Sequence, residues 1–280
     1  MRWLAAVEHL RSRGEPGVLV TVTAVRGHAP RDAGAKMVVS ATTTWDSIGG
    51  GALEAVAIEV AREMISGEVT VPESFTSTLS DKVVPSHGVQ CCGGEVTVLL
   101  EPLPIRPAVA VFGMGHVGHE LARILARHDV DLHLVDTRAE RFDDVRMAPL
   151  RDADARIHVH SVPLLPEQVL VTLPTGTHVL VMTHDHAEDH AIVDAALRMT
   201  EPRLGMVGLI GSSAKWTRMR QRLLADGLSE SDVARVVTPI GLPGVGGKDP
   251  AVIAVSVAAD LLQRMHAAVG PAPAARHGEA

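Results

Sequence analysis

Residues 108–118 read AVAVFGMGHVG. The five apolar residues 108–112 have the length and continuity of a strand buried on both faces. Gly113, Gly115 and Gly118 follow with G-x-G-x-x-G spacing, and Val117, Leu121, Ile124 and Leu125 then recur at helical intervals. The pattern predicts a strand, a tight turn and a helix. Gly113 permits the turn, Gly115 lets backbone approach a phosphate, and Gly118 lets helix and strand pack closely. The helix start, where His116 stands, offers free N–H groups and partial positive charge to an anion. Asp136 closes the next predicted strand, at 131–135, and its carboxylate suits a ribose diol. Arg138, two residues on, suits a 2′-phosphate instead. NAD(P) is therefore one cofactor that this pattern accommodates.

Working outward, short β-rich runs at 156–159, 178–183, 205–210 and 235–238 alternate with helical stretches ending near 128, 199 and 226. A last helix is predicted over 250–265. Such alternation implies a parallel sheet wrapped by helices, because parallel strands need crossovers. Upstream, strand-like runs at 17–26, 36–40, 74–79 and 95–100 accompany a helix after the glycines at 49–51. The fold class expected is α/β: a Rossmann-like parallel-sheet domain over 107–268, preceded by a smaller α/β domain over 1–103. Residues 101–107, EPLPIRP, carry three prolines and read as a linker. The tail 269–280 reads as disordered.

Other segments carry possible chemistry. Residues 183–190 (THDHAEDH) hold His184, Asp185 and His186 at a strand end, where imidazoles and carboxylates can meet a metal or a ligand. Their acids can equally cap the next helix. Gly211 and Ser212 open a helix bearing Lys215, Arg218 and Arg222, either a phosphate seat or a plain cap with solvated cations. Residues 241–250 (GLPGVGGKDP) place Lys248 among glycines, without the spacing of a P-loop. In the first domain, Gly49, Gly50 and Gly51 open a helix and form a second potential anion cradle. Cys91, Cys92, Gly93 and Gly94 put two thiols beside two glycines. Thiolates are soft metal ligands and sulfur carriers, and buried cysteines also serve as small hydrophobes.

Composition sets outer bounds. The chain has 280 residues, 46% hydrophobic and 21% charged, a formal charge of −7 and 2% aromatics. Nucleic-acid binding needs a basic face, and single strands also need stacking aromatics, so no nucleic-acid partner is expected. No apolar run approaches the roughly 18–20 residues that span a bilayer, so no membrane partner is expected. Two adjacent cysteines cannot staple distant segments, which points to a reducing, cytoplasmic setting.

Taken together, APR at 29–31, IGGGAL at 48–53, QCCGG at 90–94, VFGMGHVG at 111–118, DTR at 136–138, MTHDHA at 182–187, GLIG at 208–211 and PIGLPGVGGKDPAVIA at 239–254 occur in this order. The set resembles the xanthine dehydrogenase accessory protein family, XdhC/CoxI-like, over roughly residues 3–265. The resemblance implies a maturation factor rather than a metabolic enzyme. Such a factor binds the molybdenum cofactor, molybdopterin, and shields it while a cysteine desulfurase supplies its sulfur. It then delivers the cofactor to an apo xanthine dehydrogenase-type molybdenum enzyme. On this resemblance Cys91 and Cys92 lie near metal or sulfur, and Gly49–Gly51 and the 113–118 loop lie near phosphate or pterin. Arg141-Phe142-Asp143 lacks the Pro expected after Arg-Phe in this family. Self-association is compatible with the sequence. The rival readings are an NAD(P)-dependent oxidoreductase using the 113–118 loop and a metal-dependent hydrolase built on residues 184–190.

Overall fold

The computed structural model describes residues 1–67, 69–78, 94–103, 105–199 and 204–268. They divide into two compact units, Met1–Ile105 and Arg106–Ala268.

The first unit is a five-stranded antiparallel sheet with a helix on each face. Its elements are α1 (Trp3–Arg13), β1 (Gly17–Arg26), β2 (Lys36–Ser40), β3 (Thr44–Asp46), α2 (Gly51–Ser66), β4 (Glu73–Thr78) and β5 (Glu95–Leu103). The strand order is β3-β2-β1-β5-β4. Alternation along β1 separates two cores. Val18, Val20 and Val22 join Leu53, Ala57, Ala61 and Met64 of α2, while Leu19 joins Ala6 and Leu10 of α1. Gly14 ends α1 in the left-handed conformation, φ 63°, the usual glycine stop. Leu103, Pro102 and Glu101 pair with Gly17, Val18 and Leu19 of β1, so the first three residues of the proline-rich stretch are strand rather than linker. Proline is tolerated because β4 reaches only to Leu100. Beyond it, one side of β5 carries no ladder that needs the missing N–H.

The second unit is a parallel sheet covered on both faces. In chain order it comprises β6 (Ala108–Phe112), α3 (His116–Leu125), β7 (Asp131–Asp136), α4 (Asp144–Met147), β8 (Arg156–Ser161), β9 (Thr177–Val181), α5 (His186–Arg198), β10 (Leu204–Leu209), α6 (Ser213–Ala225), α7 (Glu230–Val233), β11 (Val236–Val237) and α8 (Pro250–Ala268). The order is β11-β10-β9-β6-β7-β8. Chain direction across the sheet therefore reverses between β6 and β9, the switch point beyond which ligands usually sit. All five residues of β6 are buried, as expected for a central parallel strand. One face packs Leu121 and Leu125 of α3 with Ala254, Val257 and Leu261 of α8. The other packs Ile192 and Val193 of α5 with Met219 and Leu223 of α6. Short helical turns at Ala139–Phe142, Ala148–Leu150 and Pro166–Thr172 complete it. No helix among the described residues is long and apolar enough to cross a membrane.

Candidate functional site

The carboxyl ends of the central strands gather most of the flagged residues of the second unit. Gly113, at φ 106°, lies where a Cβ would strike the backbone of Met182 and Thr183. The loops after β6 and β9 thus touch at the switch point. A Cβ on Gly118 would strike the Gly113 carbonyl, so this glycine serves helix–strand contact. Gly115 differs: a Cβ there meets nothing within 4 Å. It faces open space at the start of α3, where no side chain caps the helix.

Asp136 is 2% exposed. Its Oδ2 accepts from the Met114 amide at 2.7 Å and from Arg138 Nη2 at 2.9 Å. Its Oδ1 accepts from the Arg138 amide and Nε, each at 2.9 Å. Burial alone would raise this carboxyl, but the bonds from Arg138 and Met114 hold it below the usual carboxylate range. The carboxylate thus pins the glycine loop, and both its oxygens are engaged. Nearby, Thr137 Oγ1 donates to Glu188 Oε2 at 3.4 Å. Burial and the Asp136 charge push the Glu188 carboxyl up.

The 183–190 segment is built around a cap and a buried ion pair. Asp185 Oδ1 accepts from the Ala187 and Glu188 amides at 2.6 and 3.3 Å, starting α5. Asp189 is fully buried. Its Oδ1 accepts from the Thr183 amide and hydroxyl at 3.1 and 2.7 Å, and its Oδ2 pairs with Lys215 Nζ. Lys215 also donates to the Ile210 carbonyl at 3.0 Å, and its stem lies against Gly211. The lysine flagged as a phosphate ligand therefore welds the 183–190 loop to the 210–215 turn. Ser212 caps α6 by accepting the Lys215 amide at 3.3 Å. His184 and His186 are exposed. Among the described residues no group of three His, Cys, Asp or Glu is placed to hold a metal. Lys248 is exposed in a loop tethered by Ser256, whose Oγ accepts the Leu242 amide at 2.9 Å.

A cleft of about 540 Å³ opens beside the first turns of α3. Gly115 and His116 line it, with His119, Glu120 and Arg123 one and two turns further on. The turns after β7 add Arg141, Val145, Arg146 and Pro149, and Asp249–Ala251 close it at the start of α8. Of the residues singled out in the sequence, Gly115 and His116 reach this cleft, as do Asp249 and Pro250 of the 241–250 stretch. His184, Asp185, His186, Gly211, Ser212 and Lys248 are not among its walls. The sequence reading assigns no ligand role to His119, Arg123, Arg141 or Arg146. For His119 and Arg123 the signal is the recurrence of polar residues at 116, 119, 120 and 123 along one face of α3, which the apolar reading of that helix passes over; Arg141 and Arg146 carry no such pattern.

In the first unit, Gly49 packs on Pro30 and Arg31 and Gly50 faces open space. The cradle is filled from within: Glu54 Oε2 accepts from the Ser47 hydroxyl at 2.6 Å and from the Ile48 and Gly50 amides at 3.3 and 3.0 Å. Gly94 is buried where a Cβ would strike the His28 and Arg26 carbonyls. Residues 28–31, 49–50 and 94, far apart in sequence, thus belong to one unit. Cys91, Cys92 and Gly93 lie outside the described residues.

Comparison with known proteins agrees with the Rossmann-like fold of the second unit. The family model described as the XdhC Rossmann domain matches residues 109–261, more than half of the chain. The chain belongs to the XdhC family. A second model, for the XdhC and CoxI family, matches residues 10–73 of this XdhC-family chain. It is 27% identical to the molybdenum cofactor insertion chaperone PaoD of Escherichia coli K12, over 93% of this chain and 87% of PaoD. It is 24% identical to YqeB of the same organism, named an uncharacterized protein, over 93% of this chain but 46% of YqeB. The chain thus spans about half the length of that relative. A crystal structure described as a xanthine dehydrogenase from Bacillus halodurans aligns with a TM-score of 0.46 and 19% identity, over 95% of this chain and 96% of that one.

Proposed function

We propose that this chain is a molybdenum cofactor insertion chaperone: it holds the cofactor and passes it to an apo molybdenum enzyme of the xanthine dehydrogenase type. The name and coverage of PaoD support the class of activity. The structural observation that carries the reading is the cationic cleft at the uncapped start of α3, where Gly115 leaves space and Arg141 has no acidic partner among the described residues. An anionic, phosphorylated pterin matches that chemistry. When bound, the cofactor supplies molybdenum chemistry to the client enzyme, and the chain's part is to bind, shield and release it. Gly115 and His116 would sit against the ligand. Gly113, Gly118 and Asp136 set the loop that presents them.

Sulfuration with a cysteine desulfurase is the finer part of the proposal, with Cys91 and Cys92 as metal ligands or sulfur relay. The NAD(P)-dependent oxidoreductase reading draws less support. It needs Asp136 for a ribose diol or Arg138 for a 2′-phosphate, and the two side chains are already paired with each other, Asp136 accepting from the Met114 amide as well.

Reconstitution tests the proposal. Protein from cofactor-competent cells, mixed with an apo xanthine dehydrogenase-type enzyme, should restore hydroxylase activity in proportion to the molybdenum lost from the chaperone. Cys91→Ala with Cys92→Ala should lose most of that transfer. Unchanged apoenzyme, with molybdenum retained or never present, defeats the reading. Turnover of a small substrate with NAD(P) in place of transfer would establish the rival.

A further inference from the structure

The cations lining the cleft are not equivalent. Arg123 Nη1 donates to Glu120 at 3.2 Å. Arg146 pairs with Asp143 and also donates to the Glu140 carbonyl at 3.1 Å. The carboxylates are engaged as well, since Asp249 accepts the Ala251 amide at 2.9 Å to start α8. Arg141 stands apart. It is partly buried, its Nε is inaccessible to solvent, and its guanidinium has no hydrogen-bond or ion-pair partner among the described residues. His119, across the same cleft, likewise has a buried Nε2 without a partner. Leaving a guanidinium partly desolvated without a counter-charge is costly, and native structures do so where a ligand completes the site. The first N–H groups of α3 supply the remaining donors.

We propose that this cleft is a phosphomonoester subsite. Arg141 is its principal anchor, His119 a second donor, and the start of α3 at Gly115 its floor. A doubly charged tetrahedral group suits a forked guanidinium beside a helix start better than a carboxylate does, because it presents several acceptor oxygens at once. The inference rests on the cofactor-chaperone reading only for the identity of the physiological ester. The same group could arrive on a phosphorylated pterin or on a nucleotide.

The test uses the full chain and inorganic phosphate as probe, by calorimetric titration, with AMP as a second titrant. Wild-type protein should bind phosphate saturably. Arg141→Gln should weaken it about tenfold, and His119→Gln by a smaller factor. Arg198→Gln, on α5 across the sheet from α3, should leave it unchanged. Arg141→Lys keeps the charge without the fork and should be intermediate, which keeps the test decisive if Arg141→Gln folds poorly. Phosphate affinity unaffected by both Arg141 variants, or no saturable binding to wild type, overturns the subsite. AMP binding about tenfold tighter than phosphate would assign the ester to a nucleotide, whereas equal affinity would leave the pterin ester as its occupant. Molybdenum loading is measured on the same variants. Loading without Arg141-dependent phosphate binding removes the subsite and spares the chaperone. Arg141-dependent phosphate binding without loading does the reverse.

Discussion

The edge of the parallel sheet carries a histidine stack whose cost can be measured. His133 on β7 is 6% exposed and lies between His158 and His160 of β8. The His158 ring is 4.4 Å away and nearly parallel, and the His160 Nε2 is 3.1 Å from the His133 Nδ1. Burial first, then the charges that His158 and His160 would carry, lower the His133 pKa from 6.5 to about 4, against an opposing pull from Asp131. The ring is neutral in the fold and takes up a proton on unfolding, so the unfolded chain binds more protons between these two values. Stability is therefore whole above about pH 6.5 and is lost as pH falls toward 4. The linkage gives a loss of about 2 kcal/mol between pH 7 and pH 5 from this residue. The substitution His133→Leu removes the proton uptake while keeping an apolar filling. Hydrogen exchange of the β6, β7 and β8 amides reads the opening free energy of the second unit separately from the first. The wild type should lose about 2 kcal/mol more than His133→Leu over that range. Equal pH slopes in the two proteins would show that His133 takes up no extra proton on unfolding.

Three further outcomes follow from the site. Lys215→Met strands the buried Asp189 carboxylate and should cost about 3 kcal/mol in urea unfolding of the second unit, with part of the loss recovered when Asp189→Leu is added. Gly118→Ala drives a methyl into the Gly113 carbonyl and should cost about 1–3 kcal/mol by the same measurement. Glu54→Ala frees the Ile48 and Gly50 amides and should cost about 1–2 kcal/mol in thermal unfolding of the first unit.

Much of the fold was legible because hydrophobic period carries it. The runs at 17–26, 36–40 and 108–112 coincide with β1, β2 and β6, each an apolar stretch bounded by glycine or turn chemistry. The three-residue β3 and the short helical turns between 139 and 150 were not legible, since segments so brief show no period. Glu101–Leu103 misled because Pro reads as a breaker, whereas its tolerance in β5 depends on where β4 stops.

The site was harder to read for a different reason. Lys215, Asp185 and Glu54 have the residue types of ligand donors, but their partners lie within the chain, and partnership is a three-dimensional fact. Arg141 and His119 gave the opposite error. They look like ordinary surface residues in sequence, and only the lack of a partner around them marks the cleft. Glycines divided similarly: Gly113 and Gly118 are there for packing and Gly115 for open space, a distinction that spacing alone does not contain.

If this XdhC-family chain carries the molybdenum cofactor as proposed, the full chain purified from cofactor-synthesising cells contains molybdenum and a fluorescent oxidised pterin in equal amounts, near one per chain. Protein from such cells with neither above the level of a cofactor-deficient host would contradict that proposal.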